Sequence, residues 1–404
     1  MRIKNHLKIT RYILILFAAL SATVASAAND TVSIKAPDGS DTSYQTKGVD
    51  NNLPVFYHNI ANRLTFPMSW LAGDYDNFAT WRNAARAKVQ ENLLYNPPAV
   101  AFNPVVIGEE DRGSYIAKRV VLNISADSRV LSYLLVPKGE GPFPAMLLLH
   151  DHGGRFDIGK EKMVRPFDEN EQTINSANEW VNENYGGRFV GDELAKMGYI
   201  CFITDAINWG NRGGGGYQGQ QALASVLFNL GSSFASVIAY EDTRAAEFLA
   251  SQANVDTDKV GAMGWSMGGY RTWQLAALSE QIHAGVAISW MSSIKELVVP
   301  GNNIVRGHSS YAMLHPNIVN YLDYPDIASI ASPKPMFFIN GLQDKLFPIN
   351  SVEHAYQKMH KVWKSQEAEE QLYTKLWDVP HTFNLKMQDE AFLWLDKHLL
   401  KAKK

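Results

Sequence analysis

From residue 144 onward, short apolar runs recur at intervals: "PAMLLLH" (144–150), "YICFITDA" (199–206), "KVGAMGW" (259–265), "HAGVAIS" (283–289), "PMFFIN" (335–340) and "YTKLWDV" (373–379). Helical stretches lie between them: "GDELAKMG", "SFASVIAYEDTRAAEFLASQ", "GGYRTWQLAALS", residues 350–364, and a last one from Gln388 to Leu400. Strands that are apolar throughout must be covered on both faces, and intervening helices supply that cover. The alternation predicts an α/β fold: a mostly parallel twisted sheet with helices on both faces. "YIAKRVVLNI" and "RVLSYLLVP", joined by a polar "SADS", read as an antiparallel hairpin leading into it. This places a catalytic-sized domain at 111–404.

The remainder of the chain divides at residue 27. Residues 28–110 are expected to form an N-terminal helical extension, with "FATWRNAARAKVQENLL" (78–94) as an amphipathic helix. Residues 1–27 have the three parts of a signal peptide: a basic start (Arg2, Lys4, Lys8, Arg11), an apolar stretch from Tyr12 to Leu20, and Ala25-Ser26-Ala27 for cleavage. The apolar stretch is shorter than the ~20 residues of a membrane-spanning helix. The expectation is export to a periplasm or the medium, with no membrane anchor after cleavage; a retained anchor is the alternative. Removing residues 1–27 takes four basic and no acidic residues, moving the formal net charge from −3 to −7. Such a balance argues against nucleic acid as a partner. Cys201 is the only cysteine, so neither an internal disulfide nor a lipidated N-terminal cysteine is available. Oligomeric state is open. "GNRGGGGYQGQQ" (210–221) reads as a mobile loop or lid.

Chemistry enters at "GAMGWSMGGYRTW" (261–273). A lone G-x-S-x-G is a weak signal. Here it follows a strand and opens a helix, the context in which a serine on a tight turn presents its hydroxyl at the carboxyl edge of a sheet. Ser266 is the candidate nucleophile. A serine hydroxyl needs a base and the base needs an orienting acid. "PMFFIN" runs into "GLQDKLFP", putting Asp344 on a loop at the same edge; "YTKLWDV" runs into "PHTFN", doing the same for His381. Glu296 competes with Asp344 as the acid. His354, His360 and His398 fall in helices, and Asp378 is too near His381 along one strand. The main-chain N–H of Met267 and that of His152 in "HDHGGRF" are the expected oxyanion donors. His150, Asp151 and His152 also admit a zinc reading, but neighbours on an extended chain point apart, and the expectation is no metal and no cofactor. Trp209, Trp265, Trp290 and Tyr270 lie in or beside these loops and offer faces for sugar rings; Arg212 offers a partner for a substrate carboxylate. Packing is the competing role for each aromatic.

"LLLHDHGG", "GYICFITDAINWGNR", "YEDTRAAEFLASQANVDTDKVGAMGWSMGGYRTWQLAAL", "INGLQDKLFP" and "PHTF" together resemble the α/β-hydrolase superfamily, in its secreted dienelactone-hydrolase-like and acetyl-xylan-esterase-like branch, over roughly residues 110–400. The resemblance implies Ser266, Asp344 and His381 as the triad of a serine esterase. It also implies a glycan or small-molecule ester as substrate, with a carbohydrate acetyl ester foremost. Bulky-acyl (feruloyl or lactone) esterase, a peptidase relative and an inactive carbohydrate-binding homologue are the alternatives. Asp205 to Arg212 (D-x-x-x-W-G-x-R) looks like a pattern of that branch, as do Asp242 and Arg244, for which an ion pair orienting the helix is expected. "HDHGG" departs from the commoner His-Gly opening, and the residues before 110 have no counterpart.

Overall fold

The computed structural model describes residues 31–400; the signal-peptide reading of residues 1–27 lies outside them. The chain divides into two compact units, up to Asp50 and from Asn51 onward. In the first, β1 (Thr31–Lys35) and β2 (Asp41–Gln45) form an antiparallel hairpin closed by Asp38, whose carboxylate accepts from the Ser40 N–H and hydroxyl. Val32, Ile34 and Tyr44 are exposed on it. The two-residue strand β3 (Val49–Asp50) ends this unit.

The second unit opens with β4 (Leu53–Pro54), α1 (Tyr57–Arg63) and α2 (Phe78–Glu91). The helix read from the sequence at 78–94 is α2. Its start is set by Asn77, whose side chain accepts from Thr80 N–H, and Phe78, Trp81, Ala85 and Val89 form its buried stripe at helical spacing. The stretch 28–110 thus supplies two helices and, besides them, strands. β5 (Val105–Asp111) is the outermost strand of the main sheet.

That sheet continues through β6 (Tyr115–Asn123), β7 (Arg129–Pro137) and β8 (Phe143–Leu149). After α3 (Glu171–Asn184) and α4 (Val190–Lys196) comes β9 (Ile200–Thr204). Then follow α5 (Gly216–Asn229), α6 (Phe234–Ala250), β10 (Val255–Trp265), α7 (Met267–Leu278) and β11 (Ala284–Ile288). α8 (Ile294–Leu297), α9 (Tyr324–Ser329), β12 (Met336–Gly341), α10 (Ile349–Ser365), β13 (Leu372–Trp377) and α11 (Leu385–Leu395) complete it. The spatial order is β13-β12-β11-β10-β8-β9-β7-β6-β5. The six strands from β13 to β9 run parallel, and β5, β6 and β7 are antiparallel to their neighbours. The expected hairpin is therefore two strands of a three-stranded antiparallel flank.

Successive residues of a strand face opposite sides, and here both sides are core. Leu147, Leu149, Phe202, Ala262 and Phe338 join one cluster with residues of α2, α6, α7 and α10. Met146, Leu148, Cys201, Met263 and Phe337 join the other with residues of α3, α4 and α11. Double coverage is why these strands carry no polar face. The glycine-rich 210–221 segment, expected to be a mobile loop, is instead a short turn at Gly210–Arg212 running into α5. A side chain on Gly219 would lie 2.0 Å from the Gly214 carbonyl oxygen. The glycines let the turn fold back on the helix it starts. No single helix among the described residues is long and apolar enough to cross a membrane.

Candidate active site

Ser266 occupies the junction between β10 and α7 at φ 56° and ψ −123°, a backbone conformation that side chains rarely adopt and that persists only where the surroundings enforce it. Its N–H donates to Ile288 O at 2.8 Å. A Cβ on Gly264 would lie 2.4 Å from the Gly268 backbone, and one on Gly268 would lie 1.9 Å from Leu149 O. The two glycines therefore allow the turn to press against its own helix and against β8, which is the physical content of the G-x-S-x-G spacing.

The parallel register carries β12 and β13 to the same edge. Asp344 follows β12 and is buried; its Oδ1 accepts from Leu346 N–H at 2.9 Å. His381 follows β13, with Nδ1 2.6 Å from Asp344 Oδ2 and Nε2 2.9 Å from Ser266 Oγ. An ionised carboxylate can only accept, so Nδ1 carries the proton and Nε2 is left to accept from the serine hydroxyl. The Trp265 ring packs against the imidazole at 4.9 Å between centroids, holding its plane. Glu296 lies elsewhere, 2.6 Å from His354 Nδ1. His360 bonds Thr374, and Asp378 accepts from Gln343.

Met267 begins α7, so its N–H has no acceptor within the helix. Ser266 and His152 line one small cavity of about 50 Å³, with Trp290, Leu297, Ile304, Met313, Leu346 and Phe347 as apolar walls. Asn302, Asn303, Ser309 and Ser310 add polar groups to its lining. The His152 ring Nδ1 accepts from Gly154 N–H, which leaves Nε2–H to donate to Gln220 Oε1 at 2.7 Å; Gln220 in turn donates to His308 O. Burial lowers the His152 pKa to about 3, so this ring is neutral.

A family model described as Abhydrolase family matches residues 57–385, so the likeness reaches back past residue 110, where the sequence reading found no counterpart, to include α1 and α2. The chain belongs to that family. The protein named "Putative hydrolase YtaP" of Bacillus subtilis (strain 168) is 25% identical over 260 residues, 64% of this chain and 80% of that one. Among solved structures, the "putative acetyl xylan esterase" of Bacteroides fragilis NCTC 9343 superposes with a TM-score of 0.63 at 17% identity, covering 86% of each chain. A glucuronoyl esterase from Solibacter usitatus does so with a TM-score of 0.57 at 13% identity, over 78% of this chain and 91% of that one. Membership makes the protein an α/β-hydrolase with the resemblance the motifs suggested.

Several residues nominated from the sequence for substrate contact are placed otherwise. Arg212 is bound to Glu241 through two bonds of 2.6 and 2.8 Å and donates also to Asp205 O and Ser128 Oγ. Its charge is already matched inside the protein, so no free guanidinium awaits a substrate carboxylate. Trp209 is fully buried, with Nε1–H donating to His152 O at 3.0 Å. Trp265 is buried behind His381, and Tyr270 is buried among Trp273, Trp290 and Tyr324. Trp290 alone of these aromatics borders the cavity, by an edge of an otherwise buried ring. Asp242 does not pair with Arg244. Residues two apart on a helix point away from each other, and Asp242 binds Arg271 of α7 at 2.6 and 2.9 Å, while Arg244 meets Glu247 and Val100 O. His150, Asp151 and His152 diverge as extended neighbours do. The His150 ring lies between Asp151 O and Ala206 N–H, and the Asp151 carboxylate accepts from Tyr185 and Trp180.

Sequence reasoning missed the cavity wall formed by residues 297–313 and the Gln220 bridge. The signal for the wall was the long interval between "HAGVAIS" and "PMFFIN", far more than a simple αβ connection needs.

Proposed function

We propose that the protein is an exported serine esterase that hydrolyses carboxylic esters through an acyl-enzyme, and that its substrate is a short acyl ester, foremost an acetyl ester on a carbohydrate. The observation that carries the chemistry is the unbroken series Ser266 Oγ, His381 Nε2, His381 Nδ1, Asp344 Oδ2, with contacts of 2.9 and 2.6 Å. Oγ attacks the ester carbonyl as Nε2 takes its proton. The tetrahedral oxyanion is received by the Met267 and His152 N–H groups. Collapse passes the proton from Nε2 to the departing alkoxide, releasing the alcohol. Water then repeats the sequence on the acyl-serine and frees the acid. Each oxyanion donor contributes roughly 2.7–4 kcal/mol of barrier lowering.

The cavity supports the acyl preference: apolar walls from Leu297, Ile304, Met313 and Phe347 close around Ser266 and suit a methyl better than a hydroxycinnamoyl group. Fold likeness to the "putative acetyl xylan esterase" supports a carbohydrate on the alcohol side of the ester; a glucuronoyl esterase has its sugar on the acyl side, so that likeness supports a carbohydrate ester without favouring the alcohol. Export rests on the three-part pattern of residues 1–27. The test is a panel of acetylated glycans and feruloyl esters read by released acid, with fluorophosphonate labelling of wild type and Ser266→Ala. Acetate release that Ser266→Ala abolishes is expected. Turnover by Ser266→Ala near the wild-type rate refutes the mechanism, and preference for feruloyl esters refutes the acyl assignment.

A further inference from the structure

Lys160, Glu161 and Lys162 are three consecutive charged residues on a single turn, and all three are buried. Such burial is rare unless each charge is matched. Lys160 is matched conventionally: its ammonium lies 2.6 Å from Glu161 and 3.0 Å from Asp205, and it also donates to Asn211. Lys162 is not. Its Nζ donates to His152 O at 2.9 Å and to Asp151 O at 3.1 Å, and reaches the Asp151 carboxylate only at 3.5 Å. The other oxygen of that carboxylate, Oδ2, accepts from the Tyr185 hydroxyl at 2.8 Å and the Trp180 indole at 3.2 Å. Three acceptors face Nζ, the number of donors an ammonium supplies. The ammonium also lies 5.2 Å from the Trp180 ring centroid.

The two short bonds go to successive carbonyls of the loop that follows β8. A trans peptide is planar, with C=O and N–H on opposite sides. The Asp151 carbonyl is held on the buried side by Lys162 and by His150 Nδ1–H at 2.8 Å. The His152 N–H of the same peptide must therefore point the other way, away from Lys162; His152 and Ser266 both line the cavity. The His152 carbonyl, held by Lys162 and Trp209, fixes the next peptide plane. A flip of the 151–152 peptide forfeits two buried hydrogen bonds, one of them charge-assisted.

We propose that Lys162 is a positioning residue for the oxyanion site: by holding the Asp151 and His152 carbonyls it locks the His152 N–H toward Ser266. This rests on the esterase reading above. Lys162 touches no substrate and acts through the backbone. Its effect should appear where an oxyanion forms and not in binding of the uncharged ester.

The experiment compares Lys162→Met and Lys162→Gln with wild type, using p-nitrophenyl acetate as substrate and ethylboronic acid as a probe that forms a tetrahedral anion on serine. For Lys162→Met, kcat falls about 100-fold, the size of one lost oxyanion donor. KM stays within about threefold, and boronate affinity weakens by the same factor as kcat/KM. Lys162→Gln, which can still donate to one carbonyl, lies between. A folded Lys162→Met or Lys162→Gln with wild-type kcat, or a loss confined to KM, overturns the proposal. A structure of the wild-type boronate adduct tests it without any variant: a boronate oxygen within about 3.2 Å of His152 N is expected, and one turned away overturns it. Ser266→Ala separates the two readings. If it retains turnover, the esterase mechanism fails; if it is inactive while folded Lys162→Met turns over normally, only the role of Lys162 fails.

Discussion

Replacing Asp344 by Asn should reduce turnover far more than the loss of one charge suggests, because the structure dictates which way the new amide faces. Asp344 Oδ1 accepts from the Leu346 N–H at 2.9 Å, and Oδ2 accepts from His381 Nδ1–H at 2.6 Å. Both acceptors are used from a side chain that is buried at its tip. Asn keeps one acceptor oxygen. The backbone N–H of Leu346 cannot turn away, so the oxygen stays there and the amide NH2 faces the imidazole. An NH2 group can only donate, so Nδ1 must become the acceptor and the ring proton moves to Nε2. Ser266 Oγ then faces a donor and loses its base. A wrong tautomer of this kind costs about 10⁴ in kcat, which is about 5.4 kcal/mol of barrier. The volume and the hydrogen-bond count are unchanged, so the thermal midpoint should move little. Steady-state hydrolysis of p-nitrophenyl acetate, normalised to folded protein, reads the effect. Glu296→Gln is the companion measurement: its carboxylate is half-exposed and bonded to His354, so kcat should stay within about twofold of wild type. Asp344→Asn retaining a tenth of the activity, or Glu296→Gln losing as much as it, refutes the assignment of the acid.

Gly268→Ala forces a methyl to 1.9 Å from Leu149 O, a backbone atom that cannot rotate aside; calorimetry should show destabilisation beyond the about 1–3 kcal/mol of ordinary overpacking, and an unchanged midpoint would mean that the turn is looser than described. His315 is buried against Gln274 at 2.6 Å, and burial lowers its pKa to about 4. The unfolded chain binds its proton below about pH 6.5 and the folded chain does not, so its stability contribution is present above that pH and lost as pH falls toward 4. The stability advantage of wild type over His315→Gln should therefore shrink by about 2 kcal/mol between pH 7.5 and pH 5, read by urea unfolding; a constant difference contradicts a neutral buried imidazole. Arg212→Ala should leave the ratio of rates on uronate and neutral esters unchanged, because Glu241 already neutralises that guanidinium, while stability drops about 3–5 kcal/mol through the carboxylate left buried. A changed ratio would restore Arg212 to substrate binding.

The positions of Ser266, Asp344 and His381 were legible because each follows a run that can only be a covered strand, and covered parallel strands deliver their following loops to one edge. What was not legible is burial within those loops. Trp209 and Trp290 carry the same sequence signal, an aromatic beside a strand end; whether the ring lies under the loop or beside the cavity is decided by Phe156, His152 and Phe347, which are remote in the chain. Pairing of charges failed for the same reason. Asp242 and Arg244 are close in sequence, yet helical rotation separates them, and Arg271 comes from the next helix. Nothing in "GKEKM" (159–163) signals burial, and only the acceptors around it reveal that it is interior.

Those interior charges share a location. Asp151, Lys160, Lys162, Asp205, Arg271 and Asp242 are buried around the loops after β8 and β9 and the helix after β10. Arg271 pairs with Asp242 and also donates to His150 O at 3.2 Å. Asp205 receives the N–H groups of Lys160 and Asn211. A buried ion pair contributes little net stability, since desolvation offsets attraction, so their concentration here is poorly explained by stability alone. Strand residues have a ladder to satisfy their backbone groups, whereas the loops at the carboxyl edge have none. Charged side chains have the reach and the multiple donors or acceptors to bind successive peptides of an irregular segment, and each such bond fixes the orientation of a peptide plane. The mechanism proposed above needs only a few planes held correctly, those carrying the His152 and Met267 N–H groups above all. The ionic residues are thus concentrated where the fold's own hydrogen-bond pattern stops and where a peptide turned the wrong way would remove the electrostatic part of catalysis.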